Sequence, residues 1–248
     1  MPASKRAAKP SKANSKSDSK PVEAAAFAGI GPKAARLVAE LAHRQDKAFY
    51  AERKPDFESL VYGPLKALFA EVQPRLARSY SKRTLSTKVF RIHRDVRFSN
   101  DKSPFKDHAS GVIKVEGGNS ITTSAGALYL QIGPDEGAAA GLWAMEPDQL
   151  VRYRKAVQHD KHGAALERLL KPLLKAGFTL IAAGKLSRAP KGVDPDHPRG
   201  DLLRLKGLAL DFPPIPAKVR HSAGLARWCV DRAKECAPVV RWLLDHVG

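Results

Sequence analysis

The N-terminal third of the chain carries helical patterns of apolar residues. A short apolar stripe lies at residues 37–41, and Asp46 is placed to cap the helix that follows it. From Asp56 onward, apolar residues recur three and four positions apart as far as Leu76, which predicts a longer helix. Pro64 lies inside this pattern and predicts a kink or a break.

A series of short strands is predicted in the middle of the chain. Apolar and charged residues alternate from Val89 to Phe98, which is the period of a half-buried strand. Further strands are predicted at Gly111–Val115, Ala127–Ile132 and Gly137–Met145, with a flexible turn at Gly117-Gly118 after the first of them. Short strands joined by turns predict an antiparallel sheet.

Helical patterns return in the C-terminal half. Asp148 is predicted to cap a helix over residues 149–157, and a second helix is predicted over residues 164–176. Residues 177–200 are irregular, and such a long segment in a compact domain is often a functional loop. A last helix is predicted from Ala217 onward. The fold class is therefore predicted as α+β, with a central antiparallel sheet flanked by N-terminal and C-terminal helices.

The charge of the chain points to anionic partners. Lysine and arginine outnumber aspartate and glutamate by 43 to 25, and the formal net charge is +18. Such a balance favours an anionic small molecule or nucleic acid. Residues 1–21 hold six basic residues and one acid, and predict a disordered basic tail before a single domain over residues 22–248. Because +13 remains without the tail, the domain is basic in its own right.

Three further features concern the compartment. The first twenty residues contain no apolar core of a secretion signal, and no run approaches the ~18 apolar residues of a membrane span. Cys229 and Cys236 are the two cysteines, and in a helix their Cα atoms would lie ~10 Å apart, too far for a disulfide. The sequence therefore predicts a cytoplasmic protein without a membrane partner.

The stretch from Lys88 to His108 concentrates the side chains that can do chemistry. On a regular strand, Arg91, His93, Asp95 and Arg97 share one face, and this row of donors with one acid suits an anionic ligand. The opposite face is apolar except for Arg94, whose guanidinium needs an anionic partner. A turn with further charges follows the strand. The candidates for ligand binding are Arg91, Arg94, Arg97, Lys102 and Lys106, and those for proton transfer are Asp95, Asp101 and His108.

Five ordered blocks of sequence resemble the signature of one family. The first runs from Arg91 to His108 as R-x-x-R-D-x-R-F-S-x-D-K-x-P-x-K-x-H, and the others lie at 129–134, 141–147, 184–192 and 196–198. Together they resemble the domain of unknown function 2461 family, from about residue 27 to the C-terminus. The resemblance implies the family's domain. It brings no established activity, cofactor or catalytic residue, so the cofactor stays unknown.

Three interpretations of the cluster between Arg91 and His108 remain open. The first is an anion-binding protein, or an enzyme, that acts on a phosphorylated or carboxylated substrate. The second is a non-specific nucleic-acid-binding protein with a basic tail. The third is a structural cluster, in which Arg94 and Arg97 form salt bridges with neighbouring aspartates. A metal site is disfavoured, since so many neighbouring cations repel a divalent ion.

Overall fold

The structure is a computed structural model and describes residues 26–81, 83–97, 100–116 and 124–248. The predicted tail, the turn at Gly117-Gly118 and the end of the predicted strand at Phe98 lie outside these ranges. The N-terminal helical region consists of α1 (Pro32–Arg44), α2 (Lys47–Asp56), a π-helical turn (Phe57–Tyr62), α3 (Gly63–Ala77) and a 3-10 turn (Arg78–Tyr80).

The sequence signals at the starts of these helices act as predicted. The carboxylate of Asp46 caps α2 by accepting a hydrogen bond from the backbone N–H of Ala48 at 2.8 Å. At Pro64 the predicted break is also present, because the wide π-helical turn changes to α-helix one residue earlier. A proline lacks an N–H and clashes with the preceding turn of a regular helix, so a change of helix type there relieves the conflict.

The strands among the described residues form one antiparallel sheet of six strands in the order β1-β2-β3-β4-β6-β5. This arrangement, with helices on both sides of it in the chain, confirms the α+β prediction. The short β5 lies inside the segment predicted to be irregular, and three residues are too few to show a period. The strands are β1 (Leu85–Val89), β2 (Ala109–Val115), β3 (Gly126–Ile132), β4 (Gly137–Leu142), β5 (Thr179–Ile181) and β6 (Leu208–Asp211).

The strand predicted from Val89 to Phe98 is wrong, because β1 ends at Val89 where that strand was to begin. Residues 90–108, here called the arm, connect β1 to β2 as an irregular hairpin. Its backbone bonds run from Phe90 N–H to Ser110 O at 2.8 Å and from Lys106 N–H to Ile92 O at 2.8 Å. Between these two bonds, the first side of the hairpin advances two residues, from Phe90 to Ile92, whereas the second side covers four, from Lys106 to Ser110. The second side therefore has two extra residues, and these interrupt the ladder.

The C-terminal helices are α4 (Pro147–Gln158), α5 (Asp160–Lys175), α6 (Gly200–Leu203), α7 (Ala217–Arg220) and α8 (Gly224–His246). The predicted cap of α4 at Asp148 is wrong. Glu146 is the capping residue, and its N–H donates to the Gln149 side chain at 3.0 Å in a reciprocal capping box. Pro147 suits the first helical position, so the cap lies one residue before it.

The core lies between the sheet and helices α3 and α8. Helix α3 packs against β1 and β2, while α8 packs against β3, β4 and α3. The two cysteines are buried in α8 and free, as predicted. No helix in the described part of the chain is long and apolar enough to cross a membrane.

Strand directions sort the five sequence blocks into two groups. The arm and the turn after β3 lie at one end of the sheet, because β1 and β3 both run toward that end. The ends of β4 and β5 lie at the opposite end, together with the long connection from β5 to β6. The blocks at 91–108 and 129–134 are therefore separated from those at 141–147, 184–192 and 196–198.

Candidate functional site

Two side chains from the N-terminal helices fasten the arm through its backbone. The hydroxyl of Tyr62 accepts a hydrogen bond from the N–H of Ile92 at 3.1 Å, and the Gln45 amide oxygen accepts one from Phe105 N–H at 2.9 Å. Ile92 and Phe105 are fully buried. Gln45 adopts a φ of 50°, a left-handed conformation that costs a non-glycine residue about 1–3 kcal/mol. That strain is consistent with a residue held by its contacts on both sides.

The Tyr62 hydroxyl should be worth a measurable part of the stability. We expect Tyr62→Phe to lower the free energy of unfolding by about 1–3 kcal/mol, because the buried N–H of Ile92 would lose its acceptor. Urea denaturation measures the loss. Tyr80→Phe is the matched control, since that buried hydroxyl has no hydrogen-bond partner in the described part of the chain. Equal losses in both variants would contradict a specific role for Tyr62.

An aromatic cluster places the arm against α2. The ring of Tyr50 lies 5.1 Å from Phe57 and 5.1 Å from Phe105, measured between centroids. His93 meets Tyr50 edge-on, with centroids 4.9 Å apart and planes at 87°, and it also lies 5.0 Å from Phe105. The His93 ring is therefore fixed on the α2 side of the arm, although the residue stays exposed.

Arg94 finds its anionic partner in the loop of the arm. Its guanidinium forms a salt bridge with Asp101 at 2.9 Å, and its Nε donates to Phe105 O at 3.4 Å. Asp101 also accepts a hydrogen bond from the N–H of Ser103 at 2.9 Å. Hydrogen bonding to Ser103 lowers the pKa of Asp101, and the charge of the nearby Arg94 lowers it further by a smaller amount. Asp101 thus closes the loop of the arm through its bonds to Arg94 and Ser103.

Asp95 and Arg97 form a second pair at the surface. The Asp95 carboxylate accepts two side-chain bonds from Arg97, at 2.9 and 2.7 Å, and a bond from the Arg97 backbone N–H at 3.3 Å. These hydrogen bonds lower the pKa of Asp95 to about 2 and raise that of Arg97. At neutral pH Asp95 is therefore an ionised carboxylate engaged by its neighbour.

The two arginines should differ in their contributions to stability. Arg94→Ala is expected to lower the free energy of unfolding by about 1–2 kcal/mol, since the Arg94 side chain is 29% exposed and joins both sides of the hairpin. Arg97→Ala should cause no measurable change, because its side chain is 75% exposed. Thermal and urea denaturation of the two variants compare them directly. A larger loss for Arg97→Ala would reverse this assignment.

Both lysines of the arm also contact its backbone. Lys102 Nζ donates to Val96 O at 3.0 Å, and Lys106 Nζ donates to Arg91 O at 3.2 Å. The ammonium of Lys106 lies 5.4 Å from the centroid of the Phe90 ring, and that of Lys88 lies 6.0 Å from it. Two cations thus share one aromatic ring, which attracts each of them through its negative face.

His108 is paired with its sequence neighbour. Its Nδ1 lies 2.7 Å from a carboxylate oxygen of Asp107, and the side chain is 29% exposed. This bond orients the imidazole. Asp107 and His108 are the two extra residues that interrupt the β1–β2 ladder.

Cations gather around Arg91 and His93. The pKa of His93 is lowered mainly by partial burial and further by the positive charges of Arg91, Lys47 and Lys54. Burial, followed by Arg91, Arg94 and Lys88, lowers the pKa of Lys106. The charges of described residues that lower these two pKa values are all positive. We call this surface the Arg91 patch, and its members are Lys47, Lys54, Lys88, Arg91 and Lys106.

Arg91 is the uncommitted member of the sequence-predicted set. Its guanidinium forms no hydrogen bond or ion pair with any residue in the ranges that the structure describes. The other predicted ligand-binding side chains contact an acid or a carbonyl oxygen. No cluster of three or more His, Cys, Asp or Glu side chains in those ranges is arranged to hold a metal ion.

Sequence reasoning missed the contribution of α2. Lys47, Tyr50 and Lys54 are spaced three and four residues apart and so share one face of that helix. This spacing was the available signal. It did not connect α2 with the arm, which lies forty residues further along the chain.

Comparison with known proteins gives a family and no closer relative. A family model described as conserved hypothetical protein (DUF2461) matches residues 33–242, from the first turn of α1 to α8. No curated protein and no solved structure matches the chain.

Proposed function

The chain belongs to the conserved hypothetical protein family DUF2461, and we propose that it binds an oxyanion, the phosphate or carboxylate of a small ligand, at the Arg91 patch. The observation that carries this proposal is the packing of cations around Arg91: Lys106 Nζ lies 3.2 Å from Arg91 O, and Lys106 and Lys88 share the ring of Phe90. Like charges held together by a fold repel one another, and a bound anion removes that cost.

Arg91 and Lys106 are the principal ligands in this proposal. The guanidinium of Arg91 has no partner among the described residues, and its fork of donors matches the oxygens of a phosphate or carboxylate. Lys106 uses one of its three donors on Arg91 O and keeps the others. Arg94 and Arg97 already hold aspartates, so they support the arm rather than the ligand.

Proton transfer, if the ligand reacts, falls to His108 in this proposal. The pKa values of Asp95 and Asp101 are both lowered. Asp95 is bonded to Arg97, and Asp101 is bonded to Ser103 and Arg94. Ionised carboxylates of this kind are weak bases near neutral pH. His108 is oriented by Asp107, which is the arrangement that a general base requires.

A ligand screen at constant ionic strength tests the proposal. Sulfate, phosphate, phosphorylated metabolites and dicarboxylates should raise the melting temperature above that measured in sodium chloride, because a ligand at 100 times its Kd stabilises by about 2.7 kcal/mol. No stabilisation beyond chloride by any oxyanion would refute the proposal. Salt-steep binding of random DNA that persists without residues 1–21 would instead favour a nucleic-acid-binding protein.

A further inference from the structure

His93 lies where the arm meets the face of α2 that carries Lys47 and Lys54, two members of the Arg91 patch. It pairs with Phe105 in an isolated antiparallel bridge, which fixes its backbone in the hairpin of the arm. The edge-on contact with Tyr50 fixes the plane of its ring. The pKa of His93 is lowered by the charges of Lys47 and Lys54 on α2 and by that of Arg91 on the arm.

We propose that His93 is a third anion ligand of this site and binds the oxyanion as an imidazolium, so that the anion enters together with a proton. The inference rests on the proposed function and adds a requirement to it. The proton comes from solvent and adds to a ring nitrogen of His93, and no covalent bond to the ligand forms. The ligand class that fits best is a fully ionised dianion, which can face both Arg91 and a charged imidazole.

The sign of the coupling follows from the surroundings of the ring. Burial and three cations hold the pKa of His93 below its ordinary value of 6.5, so the imidazole is neutral in the free protein at pH 7. Within the described part of the chain the charged groups that shift this pKa are all cations, while Tyr50 and Phe105 contribute uncharged rings. A bound dianion reverses the local charge and raises the pKa. By linkage, affinity for the anion then rises as pH falls through 6.5.

The same argument predicts the behaviour of the free protein. A histidine whose pKa is lowered by folding destabilises the native state once the pH falls below the unfolded value of about 6.5. The free protein should therefore lose stability between pH 7 and pH 5.5. The stabilisation by sulfate should grow over the same interval.

Calorimetric titration with sulfate tests the inference, because sulfate does not titrate between pH 5.5 and 8. Titrations of the full chain in two buffers of different ionisation enthalpy give the number of protons taken up. We expect about half a proton per sulfate near pH 6.5, and an association constant that rises several-fold from pH 7.5 to pH 5.5, as the linkage between proton uptake and affinity requires.

Two variants assign the proton to His93. His93→Gln should take up almost no proton and show a flat pH profile while it still binds sulfate through Arg91 and Lys106. His93→Phe keeps a ring beside Tyr50 and Phe105 and should behave in the same way, which separates lost packing from lost titration. His43→Gln, at an exposed position in α1, should keep the wild-type proton uptake.

The outcomes distinguish this inference from the proposed function. Sulfate binding without proton uptake overturns the role of His93 and leaves the anion site intact. Proton uptake that persists in both His93 variants assigns the proton to another group and also overturns it. No sulfate binding by the wild-type protein at any pH overturns the site and the inference together.

Discussion

Replacement of both Arg91 and Lys106 by alanine is expected to weaken oxyanion binding at least about 100-fold. Each hydrogen bond from a charged donor contributes about 1.5–3 kcal/mol, and 1.4 kcal/mol is a factor of ten in affinity. Folding should be little affected, since the exposed Arg91 side chain makes no hydrogen bond or ion pair with any described residue and Lys106 donates one hydrogen bond, to a carbonyl. Calorimetric titration with sulfate measures the affinity, and thermal denaturation without ligand measures the stability.

A double variant at the other edge of the sheet separates a site from general electrostatics. Lys171 and Lys175 are exposed on α5, which packs against β5. Strands β1 and β5 are the two edges of the six-stranded sheet, which places them ~24 Å apart at ~4.8 Å per strand. Lys171→Ala with Lys175→Ala removes the same charge, and the Debye length of about 8 Å at physiological salt makes a change below twofold the expected result. A loss of sulfate affinity as large as that of the Arg91 and Lys106 double variant would mean that sulfate binding depends only on net charge.

The alternation of residues 89–98 predicted side-chain environments better than it predicted hydrogen bonds. Residues 91, 93, 95 and 97 are exposed, whereas residues 90, 92, 94 and 96 are at least partly buried. Alternation reports only an extended backbone with one face toward the core. Whether a ladder forms depends on the partner segment, and two extra residues at Asp107 and His108 interrupt it. The sequence of residues 89–98 contains no signal of these two extra residues, because they lie in the partner segment.

The sequence predicted which charged residues belong to the site, but it did not predict which of them pair with each other. The sequence shows that Arg94 needs an anion, but Asp95 is adjacent and Asp101 is seven residues away. The loop geometry selects Asp101. Lys47 and Lys54 enter the site because the aromatic contacts of Tyr50 bring α2 to the arm, and such a contact is set by the tertiary fold.

The family signature also looks more unified in the sequence than in space. Its blocks occur in order along the chain, which suggests one site. The strand directions instead place the block at 91–108 and the block at 141–147 at opposite ends of the sheet. A strand of seven residues such as β3 spans ~23 Å at ~3.3 Å per residue. The second group of blocks therefore lies away from the arm, and Gly141 is the member whose structural role can be tested most directly.

Gly141→Ala is expected to lower the free energy of unfolding by about 3 kcal/mol or more. Gly141 has a φ of +130°, which side-chain-bearing residues rarely adopt, and this strain alone costs about 1–3 kcal/mol. A Cβ there would also lie 2.5 Å from the backbone oxygen of Leu208 and 2.6 Å from the Cα of Ala209. Both atoms belong to the neighbouring strand β6, so relief requires the β4–β6 pair to separate. Urea denaturation measures the loss.

The cross-strand partner of Gly141 provides the control. Gly126 of β3 pairs directly with Gly141, but an added Cβ would meet Val112 Cγ2 at 3.4 Å and the Gly141 oxygen at 3.7 Å. These are ordinary van der Waals separations, and Gly126→Ala should change the free energy of unfolding by less than about 1 kcal/mol. A comparable loss in both variants would show that the sheet tolerates no side chain at this level. A large loss for Gly141 alone would show that the close approach of β4 and β6 is the reason for its glycine.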